Sequence, residues 1–183
     1  MARIKGVGML HLVKTLRQQR EAVLPLLDDD LTHYLDDRVA VESWYPAGDF
    51  QRLLATLIRC VPPNIVDPWV WSGTNIAAWD LTEIFTRMVP AHDVWGMLQR
   101  LPAVWRLYYD GGEIVVELEG QRHASVELHG FPHTHEDYCR HLQGYFTEAL
   151  RLAGSPLSEV ELIECVSEPP KARWSVRWTS PES

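Results

Sequence analysis

The sequence predicts an α+β fold in which an N-terminal helical layer packs on a twisted antiparallel sheet. Apolar residues recur at helical spacing through the first half of the chain, and from Ala103 the spacing changes to the alternation of strands. The 183 residues are 46% hydrophobic and 23% charged, a globular composition and a length that suit one domain. We therefore expect a single domain over 1–183, mainly helical over 1–100 and mainly antiparallel sheet with one long helix over 101–180.

The helical half contains five predicted segments, each recognised by an apolar stripe with helical period. The first includes Val7 to Leu16, and a short second one runs to Leu27, where Pro25 kinks or ends its last turn. The remaining elements of this half are an acidic turn at Asp28–Asp30, an amphipathic helix at Phe50–Ile58, and helices at Thr74–Met88 and His92–Gln99.

The second half is predicted as a three-stranded meander, a helix and a C-terminal hairpin. The meander consists of Val104–Tyr109, Ile114–Glu119 and His123–His129, and its first turn is an Asp-Gly pair at Asp110. Thr134, with Asp137 three residues later, is typical of a helix N-cap, and this helix ends near Ala153 before Gly154-Ser-Pro. The final hairpin pairs Val160–Val166 with Ala172–Trp178 across Glu168-Pro-Pro.

Charge and cysteine content exclude several classes of protein. The chain has 17 Lys and Arg against 25 Asp and Glu, a formal charge of −8, which argues against a nucleic-acid-binding surface. An odd count of three cysteines indicates reduced thiols and a cytoplasmic protein. His11 and Lys14 interrupt the apolar N-terminal stretch, so we expect no signal peptide, and no apolar run is long enough to predict a membrane span.

The sequence contains none of the motifs that would predict an enzyme. It has neither a Gly-x-Ser-x-Gly elbow nor a phosphate-binding Gly-x-x-x-x-Gly-Lys loop. Gly6-Val-Gly8 lacks the preceding strand and third glycine of a dinucleotide fingerprint. Cys139 and His141 are two apart on a predicted helix, so they face different directions and do not form a nucleophile pair. We expect a non-enzymatic protein with no catalytic residues.

Three segments resemble a known group of proteins: Ser43–Pro46, Leu101–Ile114, and Tyr138–Gly154 followed by Cys165 and Trp174–Trp178. Over nearly the whole chain they are similar to a myxobacterial paralogous family. That family resembles the ligand-binding superfamily of vinyl-reductase-type (4VR) sensor domains, haem–nitric-oxide-binding domains and Bet3-like TRAPP subunits. The resemblance implies a single 4VR/Bet3-like ligand-binding domain. It also implies a homodimer formed through helices and an apolar cavity between helices and sheet, which relatives use for aromatic compounds, haem or acyl chains.

Two metal sites are considered, one from spacing and one from the resemblance. His135 and Cys139 are four apart on a predicted helix and share a face, and His133 or His129 could complete a zinc site. The alternative is a polar strand-to-helix connection rich in histidine, since no paired Cys-x-x-Cys is present.

The resemblance implies a different zinc site, formed by two cysteines with an acidic residue near the end of the domain. Cys139 and Cys165 occupy the two cysteine positions, with Glu161 or Glu164 as acidic candidates. Arg173 lies near the position of the third cysteine, and a cation there repels a metal, so this site is interpreted as degenerate.

No cofactor is expected, with zinc or haem as the alternatives. Haem would need an axial histidine facing an apolar cavity, for which His11 and His92 are the candidates. Neither lies in a distinctive proximal motif. A lone histidine among apolar neighbours is more often a hydrogen-bonded core residue than a ligand.

The chain has eight tryptophans, which either pack the core or line an aromatic cavity. Trp174 and Trp178 are an even number apart on one predicted strand and so share a face. The residues that we predict to line a ligand cavity are Trp71, Trp79, Phe85, Trp105 and Tyr108.

These observations lead to a ranked set of functions. The first is a cytoplasmic, non-enzymatic sensor or ligand-binding domain that holds a small apolar molecule between helices and sheet, as a homodimer. The second is a protein-interaction or scaffolding module with a filled core and no ligand. The third is a metal-binding protein that uses His133, His135 and Cys139.

Overall fold

A computed structural model describes residues 2–179. The helices are α1 (Gly6–Gln18), α2 (Arg20–Val23), α3 (Ala47–Ile58), α4 (Pro68–Trp79), α5 (Val94–Tyr108) and α6 (Glu136–Leu152). The strands are β1 (Arg3–Lys5), β2 (Trp44–Pro46), β3 (Glu113–Gly120), β4 (His123–His129), β5 (Glu159–Ser167) and β6 (Pro170–Arg177). None of these helices is both long enough and apolar enough to cross a membrane.

The predicted α+β class is confirmed: a layer of helices packs on a four-stranded antiparallel sheet with strand order β3-β4-β6-β5. Of the predicted three-stranded meander, the second and third strands are present as the β3–β4 hairpin, whereas the first is part of α5. The C-terminal hairpin joins the same sheet and places β6 beside β4. Trp174 on β6 lies opposite Val126 on β4 and is fully buried, so the hairpin supplies part of the core. Trp178 follows the end of β6 and is partly buried against the same core. A second sheet of only two short strands, β1 and β2, has no counterpart in the predictions.

The predicted strand at Val104–Tyr109 is wrong, since this segment is the C-terminal half of α5. The buried residues Leu101, Val104, Trp105 and Tyr108 are spaced by three and four, which is the period of a helix. The prediction ended the preceding helix at Gln99, but α5 continues through Pro102. The Asp110-Gly-Gly turn therefore joins a helix to a strand, and the boundary between helical and sheet regions lies nearer residue 110 than residue 100.

The helix predicted at Thr74–Met88 begins and ends earlier. It begins at Pro68, where the Asp67 side chain accepts hydrogen bonds from the backbone N–H groups of Trp69 and Val70. A π-helical turn over Asp80–Ile84 and a 3-10 turn over Thr86–Met88 follow it. The short helix predicted up to Leu27 is present as α2 and a 3-10 turn at Leu24–Leu26, and the acidic residues 28–30 lead into a 3-10 helix at Asp29–Leu35.

The long helix α6 begins one residue later than predicted. His135, rather than Thr134, is its N-cap, and the His135 ring accepts from the backbone N–H of Tyr138. Thr134 is buried and donates its hydroxyl to the Phe131 carbonyl, so its side chain stabilises the preceding turn instead. At the other end Gly154 has φ +101°, a backbone conformation that favours glycine. The predicted stop at Gly154-Ser-Pro is therefore confirmed.

Candidate functional site

A small cavity lies where five helices converge beside β1 and β3. Its volume is about 40 Å³, enough for a few small atoms and well below the roughly 300–1,000 Å³ of pockets for drug-sized ligands. Its wall is predominantly apolar and aromatic, with two ionisable side chains, Asp80 and His141, and three tyrosines. The lining residues are Ile4, Gly8, Phe50, Ile76, Asp80, Leu101, Val104, Trp105, Tyr108, Tyr109, Ile114, His141, Leu142, Tyr145 and Phe146.

The close crossing of α4 and α6 sets the position of this site. At Gly73 an added Cβ would lie 1.8 Å from the His141 carbonyl oxygen, and at Gly144 it would lie 2.0 Å from the Val70 carbonyl oxygen. Any side chain at either glycine would force the two backbones apart. The absence of a Cβ therefore allows α6 to bring His141 and Tyr145 close to the end of α4.

Asp80 is the carboxylate of the site and lies on the π-helical turn after α4. It is 1% exposed, and its Oδ2 accepts a 2.5 Å hydrogen bond from the Tyr108 hydroxyl. Its Oδ1 is buried and has no hydrogen-bond partner among residues 2–179. Burial raises the pKa of Asp80 from 3.8 to about 7, and the Tyr108 hydrogen bond only partly offsets that rise. When Asp80 is ionised, the site therefore holds an acceptor that no residue of 2–179 satisfies.

His141 is the imidazole of the site and is buried on α6. Its Nδ1 lies 2.9 Å from Ser72 Oγ, and the Ser72 hydroxyl donates to the Trp69 carbonyl oxygen at 2.7 Å. Since the hydroxyl has one hydrogen, the contact requires His141 to donate from Nδ1, which leaves a lone pair on Nε2. Burial lowers the pKa of His141 from 6.5 to about 3, so the ring is neutral at pH 7. His141 thus adds a second acceptor to the site.

Aromatic rings enclose these polar groups. Trp105 stacks on Tyr109 with centroids 4.3 Å apart and donates its indole N–H to the Gly111 carbonyl oxygen. The Tyr108 ring packs edge-on against Tyr145, and their hydroxyl oxygens are 3.5 Å apart. Burial raises the pKa values of all three tyrosines, so their hydroxyls stay protonated at pH 7. The aromatic residues of the wall therefore contribute apolar surface and no charge.

The five predicted ligand-binding residues do not all reach this cavity. Trp105 and Tyr108 line it. Trp71 borders a separate surface groove beside α1, and Trp79 stacks on the His11 ring with centroids 5.1 Å apart. Phe85 contacts the Tyr108 ring edge-on but is not part of the wall. The helical period alone does not distinguish the cavity side of these helices from their other buried sides.

The residues of the first predicted metal site are not brought together. His135 caps α6 and lies 3.1 Å from the Gln51 side-chain oxygen, whereas the His133 ring lies near Gly48. His129 contacts the Glu127 carboxylate instead. Within residues 2–179, no three His, Cys, Asp or Glu side chains are grouped so that they could hold a metal ion.

Of the second predicted metal site, only the two cysteines are close. Cys139 Sγ and Cys165 Sγ are 3.1 Å apart and are both free thiols. Glu164 is 3.6 Å from Lys171, which supplies a cation to that carboxylate. Glu161 lies opposite Ser175 on β6 and Arg173 lies opposite Glu164, so neither completes a group of three ligands with the cysteines.

Neither histidine predicted as an axial haem ligand borders the cavity. His11 packs on Trp79 and lines the surface groove of α1, and His92 is exposed in the turn before α5. The imidazole that does border the cavity is that of His141, which the sequence does not predict as a haem ligand.

Sequence reasoning missed Asp80, His141 and Tyr145. The same sequence signal was present for all three residues: each is a polar or ionisable residue within an otherwise apolar helical stripe. Asp80 lies four residues after Ile76 and one before Leu81, on the buried stripe of its helix. His141 and Tyr145 are four apart on the buried face of α6. A polar residue on a buried stripe needs a partner or a function, and this pattern identifies all three.

Comparison with protein-family models finds no match for this sequence, and comparison with curated proteins finds none either. Solved structures do match. An oxygen-binding H-NOX domain related to soluble guanylate cyclases, in its oxygen complex, has a TM-score of 0.72 at 12% identity, covering 97% of this chain and 96% of that one. An H-NOX structure determined to probe the function of haem distortion has a TM-score of 0.71 at 14% identity, covering 98% and 97%.

A third match is an H-NOX protein variant from K. algicida in the unliganded Fe(II) state, with a TM-score of 0.69 at 12% identity and coverage of 96% and 97%. These similarities agree with the haem–nitric-oxide-binding branch of the superfamily that the sequence resembles, and they leave the 4VR, Bet3-like and myxobacterial parts of that resemblance untested. At identities this low they establish the fold alone. Over its whole described length, the chain has the fold of H-NOX domains.

Proposed function

We propose that this protein is a ligand-binding sensor domain in which the central cavity holds a small, largely apolar molecule without haem. The observation that carries the proposal is the buried Asp80 Oδ1, which faces no donor within residues 2–179 while its carboxyl group lines the cavity. An unsatisfied buried acceptor costs about 1–3 kcal/mol, and a ligand that donates a hydrogen bond there would recover that free energy. The H-NOX neighbours support a sensor role, since one of them is described as binding oxygen.

Haem, whose distortion was probed in one of the H-NOX neighbours, does not fit the residues present here. His141 has the chemistry of an axial ligand, because its Nδ1 is held by Ser72 and its Nε2 carries a lone pair. The cavity of about 40 Å³ is nevertheless far smaller than a haem-sized group requires. The described lining also includes no Lys or Arg to pair with the propionates, and Asp80, when ionised, would add a further negative charge.

The unused hydrogen-bonding capacity of the cavity defines the class of ligand. Above the Asp80 pKa of about 7 the carboxylate Oδ1 is an acceptor, His141 Nε2 is a second acceptor, and the rest of the wall is mostly hydrocarbon and aromatic rings. A ligand of a few non-hydrogen atoms with one O–H or N–H group satisfies both conditions. Three such atoms limit the affinity to a Kd of about 1 mM at best.

Ethanol and dimethyl ether test this specificity, because they are isomers and only ethanol donates a hydrogen bond. At pH 8, where Asp80 is mainly ionised, we expect ethanol to shift backbone amide NMR signals of α4, α5 and α6 around the cavity in a saturable way. Dimethyl ether should shift them much less. Native mass spectrometry of gently purified protein would show whether a resident molecule is already bound.

The matched variant is Asp80→Asn, which keeps the shape of the side chain and supplies an N–H donor in place of an acceptor. We expect it to bind dimethyl ether and to lose the preference for ethanol. Equal binding of both isomers by the wild-type protein, or signal shifts confined to the surface grooves, would contradict the proposal. Stoichiometric uptake of haem with an axial-histidine spectrum would overturn the exclusion of haem.

A protein-interaction or scaffolding module is the second candidate, and the small size of the cavity favours it. Trp105, Tyr108 and Phe146 occupy much of the space between the helices, as expected of a filled core. In that case neither isomer binds, and the purified protein carries no added mass. We further propose a cytoplasmic, non-enzymatic protein that forms a homodimer, which light scattering coupled to size exclusion would test.

A further inference from the structure

We propose that Cys139 and Cys165 form a redox modification site, where a peroxide converts the two thiols into a reversible disulfide that links α6 to β5. The inference does not depend on the ligand cavity, since neither cysteine lines it. It also differs from the zinc site considered above, because it needs only the two sulfur atoms.

The two thiols are already adjacent in the folded protein. Their Sγ atoms are 3.1 Å apart although the residues are separated by 26 positions in the sequence. A disulfide requires about 2.05 Å, so the sulfur atoms need to approach by roughly 1 Å. Cys165 lies on β5, which is an edge strand with a register shift between Leu162 and Glu164, and an edge strand adjusts more easily than a central one.

The two cysteines differ in accessibility, which orders the reaction. Cys165 is partly exposed and borders an open surface cleft together with Glu136, Leu162 and Ser167. Cys139 is buried on α6, where Trp174 Nε1 donates to its carbonyl oxygen at 3.2 Å. Burial raises the pKa of the Cys139 thiol, so its thiolate is disfavoured. Cys165 therefore meets the oxidant first, and Cys139 follows.

The reaction proceeds in two balanced steps. The Cys165 thiol loses its proton to solvent, and the resulting thiolate attacks one oxygen of hydrogen peroxide. The O–O bond breaks, and the hydroxide that leaves takes a proton from solvent. Cys165 is then a sulfenic acid. The Cys139 sulfur attacks the Cys165 sulfur, the S–O bond breaks, and the hydroxyl leaves as water with the Cys139 proton. Two thiols are oxidised by two electrons in total, and peroxide is reduced to two waters. A dithiol reductant reverses the change by thiol–disulfide exchange.

Such a bond would tie the N-terminal end of α6 to β5 of the sheet. The same helix carries His141, two residues beyond Cys139, so oxidation would restrain one wall of the central cavity. The closed loop of 26 positions predicts that the oxidised protein melts about 5–10 °C above the reduced protein.

The test is intact-protein mass spectrometry of the folded full chain, first reduced and then exposed to hydrogen peroxide. We expect the mass to fall by two hydrogen atoms, peptide mapping to locate the link between Cys139 and Cys165, and a dithiol to restore the original mass. Cys139→Ala and Cys165→Ala should both lose the link and the rise in melting temperature.

Cys60 provides the matched control, because it is a partly exposed cysteine whose Sγ hydrogen-bonds to the Ala22 carbonyl at 3.9 Å and is not paired with another cysteine among residues 2–179. Cys60→Ala should still form the internal disulfide. The proposal is overturned if the folded wild-type protein gains oxygen atoms at Cys165 without losing two hydrogens, or if its only disulfide joins two chains through Cys60. Because each cysteine of the pair has its own variant, failure of one variant to fold leaves the other as the test.

Discussion

The two ionisable groups of the cavity should have opposite effects on stability as the pH changes. The pKa of Asp80 is about 7 in the folded protein and 3.8 in the unfolded chain. Between these pH values the unfolded chain is ionised at Asp80, whereas the folded protein still binds a proton there. Stability is therefore lost as the pH rises. The pKa of His141 is about 3 in the folded protein and 6.5 in the unfolded chain. Between these pH values the unfolded chain binds a proton at His141 that the folded protein does not. Stability is therefore gained as the pH rises.

These two contributions nearly cancel in the wild-type protein between about pH 4 and pH 6.5. Each has a slope of about 1.36 kcal/mol per pH unit, and over their full ranges they amount to about 4 kcal/mol for Asp80 and about 5 kcal/mol for His141. Asp80→Asn leaves the His141 effect uncompensated. Relative to the wild type, its free energy of unfolding should rise by about 3 kcal/mol between about pH 4.5 and pH 6.5.

His141→Asn should show the reverse, a fall of similar size over the same interval, because only the Asp80 effect remains. Urea unfolding followed by tryptophan fluorescence at several pH values measures both differences. Asp49→Asn is the control for the loss of one carboxyl group, since Asp49 also accepts a tyrosine hydroxyl, at 2.8 Å from Tyr34, but is only half-buried. If the Asp80 and His141 variants change in the same direction, or both follow the wild-type pH dependence, the assignment of these groups is refuted.

Three further predictions concern the architecture of the site. Gly144→Ala should lower the free energy of unfolding by about 3 kcal/mol in urea titrations, because its Cβ would lie 2.0 Å from a carbonyl oxygen of α4. Gly120→Ala is the control and should change it by about 0.5 kcal/mol at most, because its Cβ would lie 3.7 Å from the nearest atom, the Cβ of His123. Asp67→Ala should cost about 1–2 kcal/mol by the same measurement, because it removes the cap of α4. Trp105→Phe should enlarge the cavity so that propan-1-ol shifts the amide signals of α5; Trp79→Phe, outside the cavity wall, should not have this effect.

Local sequence patterns were sufficient for several elements. The apolar stripes of α1 and α3 predicted helices because each stripe follows the helical period, and the start and stop signals around residues 134 and 154 predicted α6. The hairpin of β5 and β6 was equally clear, since two alternating segments flank a turn that contains two prolines. In each case the residues that specify the element lie within one stretch of the chain.

The predictions failed where one pattern fits two structures. Residues 104–109 can be divided into two alternating sets, as in a strand, but the buried ones among them also fit a helix. Packing of α5 against β3 and the cavity selects the helix. Strand order was not predictable for a related reason: β6 pairs with β4 across some fifty residues, and nothing local to either strand specifies that pairing.

The sequence by itself determined the α+β class, the negatively charged composition, the amphipathic helices and the C-terminal hairpin, because period, turn residues and charge are local properties. Only the tertiary structure decided where the site lies and what it contains. Asp80 meets Tyr108 across 28 positions, Ser72 meets His141 across 69, and Cys139 meets Cys165 across 26. The burial that shifts the pKa values of Asp80 and His141 exists only once the helices have closed around them, and so the chemistry of the cavity is a property of the packed molecule.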